Sequence, residues 1–176
     1  MPTSDPANLP KRLKLVKSGS MSDADCLDKM IGHATALLDL CDQLERIADM
    51  LPVMADTREC LCLAEELIQT VQAAHHFEES CFFNVAREMI GQSDTLNGVI
   101  ERLCEEHLED QCFAEEVRDT MIVLSKGPAV REAETAGYLL RGFFGQLRRH
   151  VAFEHDYLCV PVARLLGRSP DFSENG

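Results

Sequence analysis

The chain has no tryptophan, and its 176 residues include only 10 glycines and 7 prolines. Folds made of many short strands need those turn residues in regular supply, so an all-β sandwich or barrel is excluded. Also missing is any run of about 20 apolar residues, which leaves no candidate membrane span, and no apolar leader marks a secreted protein. Positive charge is scarce. The 17 Lys and Arg stand against 30 Asp and Glu, a formal net charge of -13. Such a field repels phosphate backbones and anionic lipids, so neither nucleic acid nor membrane is an expected partner. There is no glycine-rich phosphate loop, nucleophile elbow or haem-attachment C-x-x-C-H, which removes support for nucleotide and acyl chemistry.

What remains is a single domain's worth of helix formers: Ala, Leu, Glu, Gln, Arg and Met. Eight cysteines without a leader read as reduced thiols in a cytoplasmic protein, most of them serving as small buried apolar groups. Cys60-Leu61-Cys62 lacks the two-residue spacer of redox and zinc motifs.

Residues 1–21, with Pro2, Pro6, Pro10, Lys11, Arg12, Lys14 and Lys17, are expected to be a flexible basic arm. Apolar residues then recur at helical spacing in four segments. The first covers about 23–50, capped at Ser22-Asp23 and stopped by Leu51-Pro52. The second covers about 57–90, with Thr57 as its cap, and ends near Gly91. A third, about 94–126, starts at Ser93-Asp94 and ends at Gly127-Pro128. The last runs from Val130 past Leu158, with Pro161 disturbing its final turns. Short connections forbid long crossovers. The spacing therefore predicts an all-α, antiparallel up-down-up-down four-helix bundle over 22–167, followed by a polar tail over 168–176.

Each apolar stripe is interrupted by a histidine. At 100° per residue His75 and His107 fall at stripe centres, His33 falls on an edge, and His150 shares its side with Leu147 and Leu158. Helices two and four each add a carboxylate four residues later, in His75/Glu79 and His150/Glu154, while His76 is rotated away. Six ligand-type side chains thus converge on one layer. A lone buried imidazole is usually a hydrogen-bonded core residue, but burying this many titratable groups without a cation costs several kcal/mol each. A metal resolves that conflict. Imidazole with carboxylate suits iron, manganese or zinc, and two carboxylates able to bridge favour a dinuclear centre.

The ordered set of His33, "HHFEE" (75–79), "EEH" (Glu105-Glu106-His107) and "HVAFE" (150–154) followed by "VPVA", one piece per helix, resembles the hemerythrin-like HHE cation-binding family over roughly residues 23 to 166. The resemblance implies a non-haem di-iron centre, oxo- or hydroxo-bridged, that binds or senses O2, NO, redox state or iron, with zinc or manganese as other occupants. It also implies terminal ligands His33, His75, His107 and His150, with Glu79 and Glu154 bridging. Two departures bear on this set. Oxygen carriers of the family have a second histidine four residues after the helix 3 histidine, where this chain has Gln111, a poor iron ligand. In addition, Glu78 precedes Glu79 in the acidic pair, so the register of the helix 2 carboxylate is open. Glu78, Asp110, Gln111 and His155 are the additional candidates, as extra ligands or as groups that orient the first set.

The leading expectation is a binding or sensing module with a gaseous ligand and a protein partner to receive its signal. An alternative is a di-iron oxidase, peroxidase or NO-handling enzyme entered near Gln111, and a third is a structural bundle holding zinc or no metal. A ferritin-like oxidase is disfavoured, because that scaffold uses Glu-x-x-His, with glutamate first and a spacing of three. Oligomeric state stays open.

Overall fold

The computed structural model describes residues 21–52, 56–127 and 129–169; the expected arm and tail fall almost wholly outside them. Four helical rods account for nearly all of the described chain. The first is α1 (Asp23–Met50). The second joins α2 (Thr57–Phe77) through a π-helical turn (Glu78–Phe82) to α3 (Phe83–Ile90). The third is α4 (Asp94–Leu124), and the fourth joins α5 (Val130–Glu154) through another π turn (His155–Cys159) to α6 (Val160–Leu165). Among the described residues there is no strand, and no helix is long and apolar enough to cross a membrane.

The helix ends follow local chemistry. Ser22 accepts from the Asp25 N–H and Ser93 from the Leu96 N–H, each satisfying a donor that the first turn leaves unpaired. At α2 the cap is Asp56 rather than Thr57. The Asp56 carboxylate takes the N–H groups of Arg58 and Glu59, and the Thr57 hydroxyl instead donates to the Ser125 carbonyl at 3.0 Å. A carboxylate accepts two donors at a helix N-terminus and favours the dipole there, which explains the preference. Gly91 ends α3 at φ +93°, a conformation other residues rarely adopt.

Neighbouring rods pack in a ring: α1 lies against α2 and α5, and α4 lies against α2 and α5. Consecutive rods being adjacent is the up-down-up-down arrangement. Arg148 bridges from α5 to Asp42 and Glu45 of α1, both at 2.6 Å. Such part-exposed pairs contribute at most about 1 kcal/mol, so they fix register more than strength.

Stability comes from two apolar clusters. One gathers Leu37, Leu44, Leu67, Val71, Val117, Met121, Leu140, Phe143 and Leu147. The other gathers Leu27, Met30, Phe82, Phe83, Ile100, Leu103, Leu158 and Val162. Each large side chain contributes about 1.5–3 kcal/mol relative to exposure. Every rod feeds both clusters, and between them every rod crosses one level at which the apolar succession breaks. That level carries His33 on α1, His75 and Glu78 on the second rod, His107 and Asp110 on α4, and His150 and Glu154 on α5.

Candidate metal centre

Three imidazoles form the heart of this layer. His75 and His107 stack with ring centroids 4.0 Å apart and planes 9° apart. His150 lies 5.1 Å from His107 and 5.6 Å from His75. Glu78 completes a set of four buried residues whose donor atoms lie within 4.8 Å of one another. Glu154, only 1% exposed, faces Glu78. Asp110 closes the layer from α4. One of its oxygens accepts from Gln146 Nε2 at 2.8 Å, and the other lies 3.2 Å from His150 Nδ1 and 4.0 Å from His75 Nε2.

Among the described residues, every buried side-chain nitrogen or oxygen lacking a hydrogen-bond partner belongs here. They number ten: both donor atoms of His75, His150, Glu78 and Glu154, with His107 Nε2 and Asp110 Oδ2. His107 Nε2 is 2.8 Å from Glu78 Oε2 but misaligned for a hydrogen bond. Native interiors leave few such groups unsatisfied, because each costs about 1–3 kcal/mol. Ten in one layer are explained by a cation, and nitrogen with carboxylate oxygen and no thiolate is a donor set suited to iron, manganese or zinc. The residues present fit a metal.

The electrostatics agree. Burial, followed by its two imidazole neighbours, pushes His75 down to about 2, so the ring stays neutral as a ligand must. Burial also pulls His107 down, but pairing with Glu78 and Glu79 outweighs it and the net shift is upward. Glu154 is raised well above the usual carboxylate range by burial and by the Glu78 charge. Burial lowers His33, partly offset by Glu78.

Several expected site residues lie elsewhere. Glu79, expected as a bridging ligand, has a side chain 48% exposed, and its Oε1 accepts from His107 Nδ1 at 2.7 Å. In the neutral ring this bond leaves Nε2 as the lone-pair nitrogen, on the side of Glu78. The reason lies in the helical phase. Glu78 is about 60° to one side of His75 and Glu79 about 40° to the other. Leu63, Leu67, Val71 and Ala74 put the buried axis of α2 on the Glu78 side. His75 is therefore buried but off the axis of the stripe, and those four apolar positions were the signal that could have shown it. The same holds on α4, where Asp110, three after His107, is buried and Gln111, four after, is not.

His33 is only partly buried and rests against the Phe77 ring at 5.1 Å, at the edge of the layer. His155 begins the second π turn, partly exposed, with Nδ1 3.1 Å from Asp156. Both π turns adjoin the layer, one starting at Glu78 and the other just after Glu154. Such widened turns are rare and concentrate at functional sites. The second also precedes Pro161, which has no N–H to continue the helical ladder.

The opening expected near Gln111 is not formed in this structure. The space beside Gln111, Val71, Gln72 and Ala114 has no room for a water molecule. A cavity of about 210 Å³ opens instead between α4 and α5, where Arg102, Glu106, Gln146 and Arg149 line the way to Asp110 and His150. A larger groove of about 600 Å³ near Val123, Leu124, Ala136 and Leu139 touches none of the layer and offers no ligand set.

A family model described as the hemerythrin HHE cation binding domain matches residues 27–159. No curated protein and no solved structure matches the chain.

Proposed function

The chain belongs to the hemerythrin HHE cation-binding family, and on that premise we propose that it is a non-haem di-iron module that binds or senses a small ligand such as O2 or NO. The observation that carries this reading is the set of ten unpartnered donor atoms buried at one level of the bundle. The proposed ligands are His75, Glu78, His107, His150 and Glu154, with Asp110 and His33 at the margin. Glu78 takes the role the sequence suggested for Glu79. Iron held there supplies redox chemistry and a place for a small ligand. The protein's own part is to keep His75 neutral, to orient His107 through Glu79, to exclude bulk water with the flanking apolar clusters, and to admit small molecules between α4 and α5.

Metal analysis combined with optical spectra tests this directly. Protein loaded aerobically with iron is expected to hold about two ions per chain and to show charge-transfer absorption that changes on exclusion of oxygen and on addition of NO. One ion or fewer, with no such band, refutes the di-iron reading. In a second experiment, Glu78→Gln is expected to lose metal, whereas Glu79→Gln retains it with affinity weakened by about 10–100-fold, the usual effect of removing a carboxylate that orients a ligating histidine. Equal loss in both variants would return Glu79 to the ligand set.

Metal uptake should also release protons. Glu154 and His107 are held protonated to higher pH than usual, and both must lose that proton to coordinate; His75 is already neutral. Affinity is therefore expected to rise with pH above the ordinary carboxylate and imidazole ranges, by up to tenfold per pH unit for each proton released. Calorimetry in buffers of different ionisation enthalpy measures the protons, and a pH-independent affinity contradicts this account.

The α4–α5 cavity favours a second reading, in which a small substrate reaches the centre and is turned over. Turnover of peroxide or NO that vanishes in His107→Ala would establish it. Tight binding without turnover supports the sensing module.

A further inference from the structure

Outside the metal layer, two free thiols lie in contact. The Sγ atoms of Cys26 and Cys81 are 3.4 Å apart, although the residues are 55 positions apart in sequence. Cys26 lies near the start of α1 and is buried, at 1% exposure. Cys81 lies in the first π turn, three residues after Glu78, and is partly exposed. A disulfide has its sulfurs about 2.05 Å apart, so bonding requires an approach of about 1.4 Å, a shift on the scale of side chains rather than helices. Cys62 and Cys112 are more exposed, but among the described residues neither has a second sulfur in contact.

We propose that Cys26 and Cys81 are a redox modification site that closes to a reversible disulfide, with a low-molecular-weight disulfide of the glutathione class as oxidant. The Cys81 thiol gives up its proton, and its sulfur attacks one sulfur of the small disulfide. That S–S bond breaks, a mixed disulfide forms on Cys81, and one small thiol leaves with a proton. Cys26 then loses its proton and attacks the Cys81 sulfur, the mixed bond breaks, and the second small thiol leaves. Two protein thiols are oxidised and one small disulfide is reduced to two thiols. The order follows from access: Cys81 meets solvent, whereas Cys26 is buried, with its thiol pushed up to about 12 by burial and by Cys81, and serves as the resolving group. The product ties the first helix to the turn that carries Glu78. It does not depend on which cation, if any, the layer holds.

The test is to equilibrate reduced, metal-loaded, full-length protein with mixtures of reduced and oxidised glutathione, trap free thiols by alkylation, digest without reduction and map the products by mass spectrometry. The expected result is a Cys26–Cys81 linked peptide as the main intramolecular product, fully reversed by dithiothreitol. In Cys26→Ala the reaction should stop at glutathione on Cys81, which accumulates. Cys81→Ser should lose the link completely and leave Cys26 unmodified. If the wild-type protein instead carries glutathione only on Cys62 or Cys112, or forms another intramolecular pair in preference, the proposal is overturned.

Discussion

Removing the cation with a chelator is expected to lower the melting temperature by on the order of 10 °C. A ligand bound only to the folded state adds about 4 kcal/mol at a thousand times its dissociation constant, and each kcal/mol shifts the midpoint of a chain this size by about 2–4 °C. The molecular reason is local. Without a cation, Glu78 and Glu154 face each other at 0% and 1% exposure, in a layer where both nitrogens of His75 and His150 and the Nε2 of His107 have no hydrogen-bond partner. The free-energy penalty of that arrangement is what the metal offsets. Calorimetric or circular-dichroism melts before and after chelation, with restoration by added iron, measure it. An unchanged midpoint would mean that the layer is a polar core needing no ion, and would reinstate the metal-free structural bundle.

The second large effect is a change of sign. Glu154→Leu is expected to stabilise the metal-free protein by about 1–4 kcal/mol, because a buried carboxyl opposite another carboxyl is replaced by an apolar group of similar size. The same substitution removes a proposed ligand, so most of the stabilisation from added iron should disappear. Denaturant unfolding of wild type and variant, each with and without iron, gives the four free energies required. The pH dependence supplies a check on the cause. Burial and Glu78 raise the folded-state carboxyl above its unfolded value, so wild-type metal-free protein loses stability as pH rises from the unfolded carboxyl range, near 4.3, towards the folded value. Glu154→Leu should remove that contribution. A variant less stable than wild type without metal would show that Glu154 makes a stabilising hydrogen bond there, and the desolvation argument would fail.

Much of this is legible in the sequence. The shortage of glycine and proline, the helical spacing of apolar residues and the caps at Ser22 and Ser93 led to four rods with correct limits at most ends. A histidine in each apolar stripe led to the layer. Less legible were the finer choices within a turn. Thr57 and Asp56 are adjacent, and both are good caps; the packing of α2 beside Ser125 gave the Thr57 hydroxyl another partner. The π turns are not legible in the sequence because a widened turn leaves no compositional mark, apart from Pro161 just after the second. Cys26 and Cys81 could not be paired from sequence at all, since nothing in a 55-residue separation says that two thiols touch.

The sequence by itself determined the fold, the family and the chemical class of the site, because those depend on which residue types recur at which period, and period is a one-dimensional property. The tertiary structure decided which carboxylate of a neighbouring pair faces inward, where Gln111 and Asp110 point, and which gap between helices is open. A helix offers positions 60° to one side and 40° to the other of any histidine. Which of them is buried depends on how the whole rod is rotated against its neighbours, and that rotation is set by the packing of apolar residues along the rod, such as Leu67 and Val71, rather than by the motif itself.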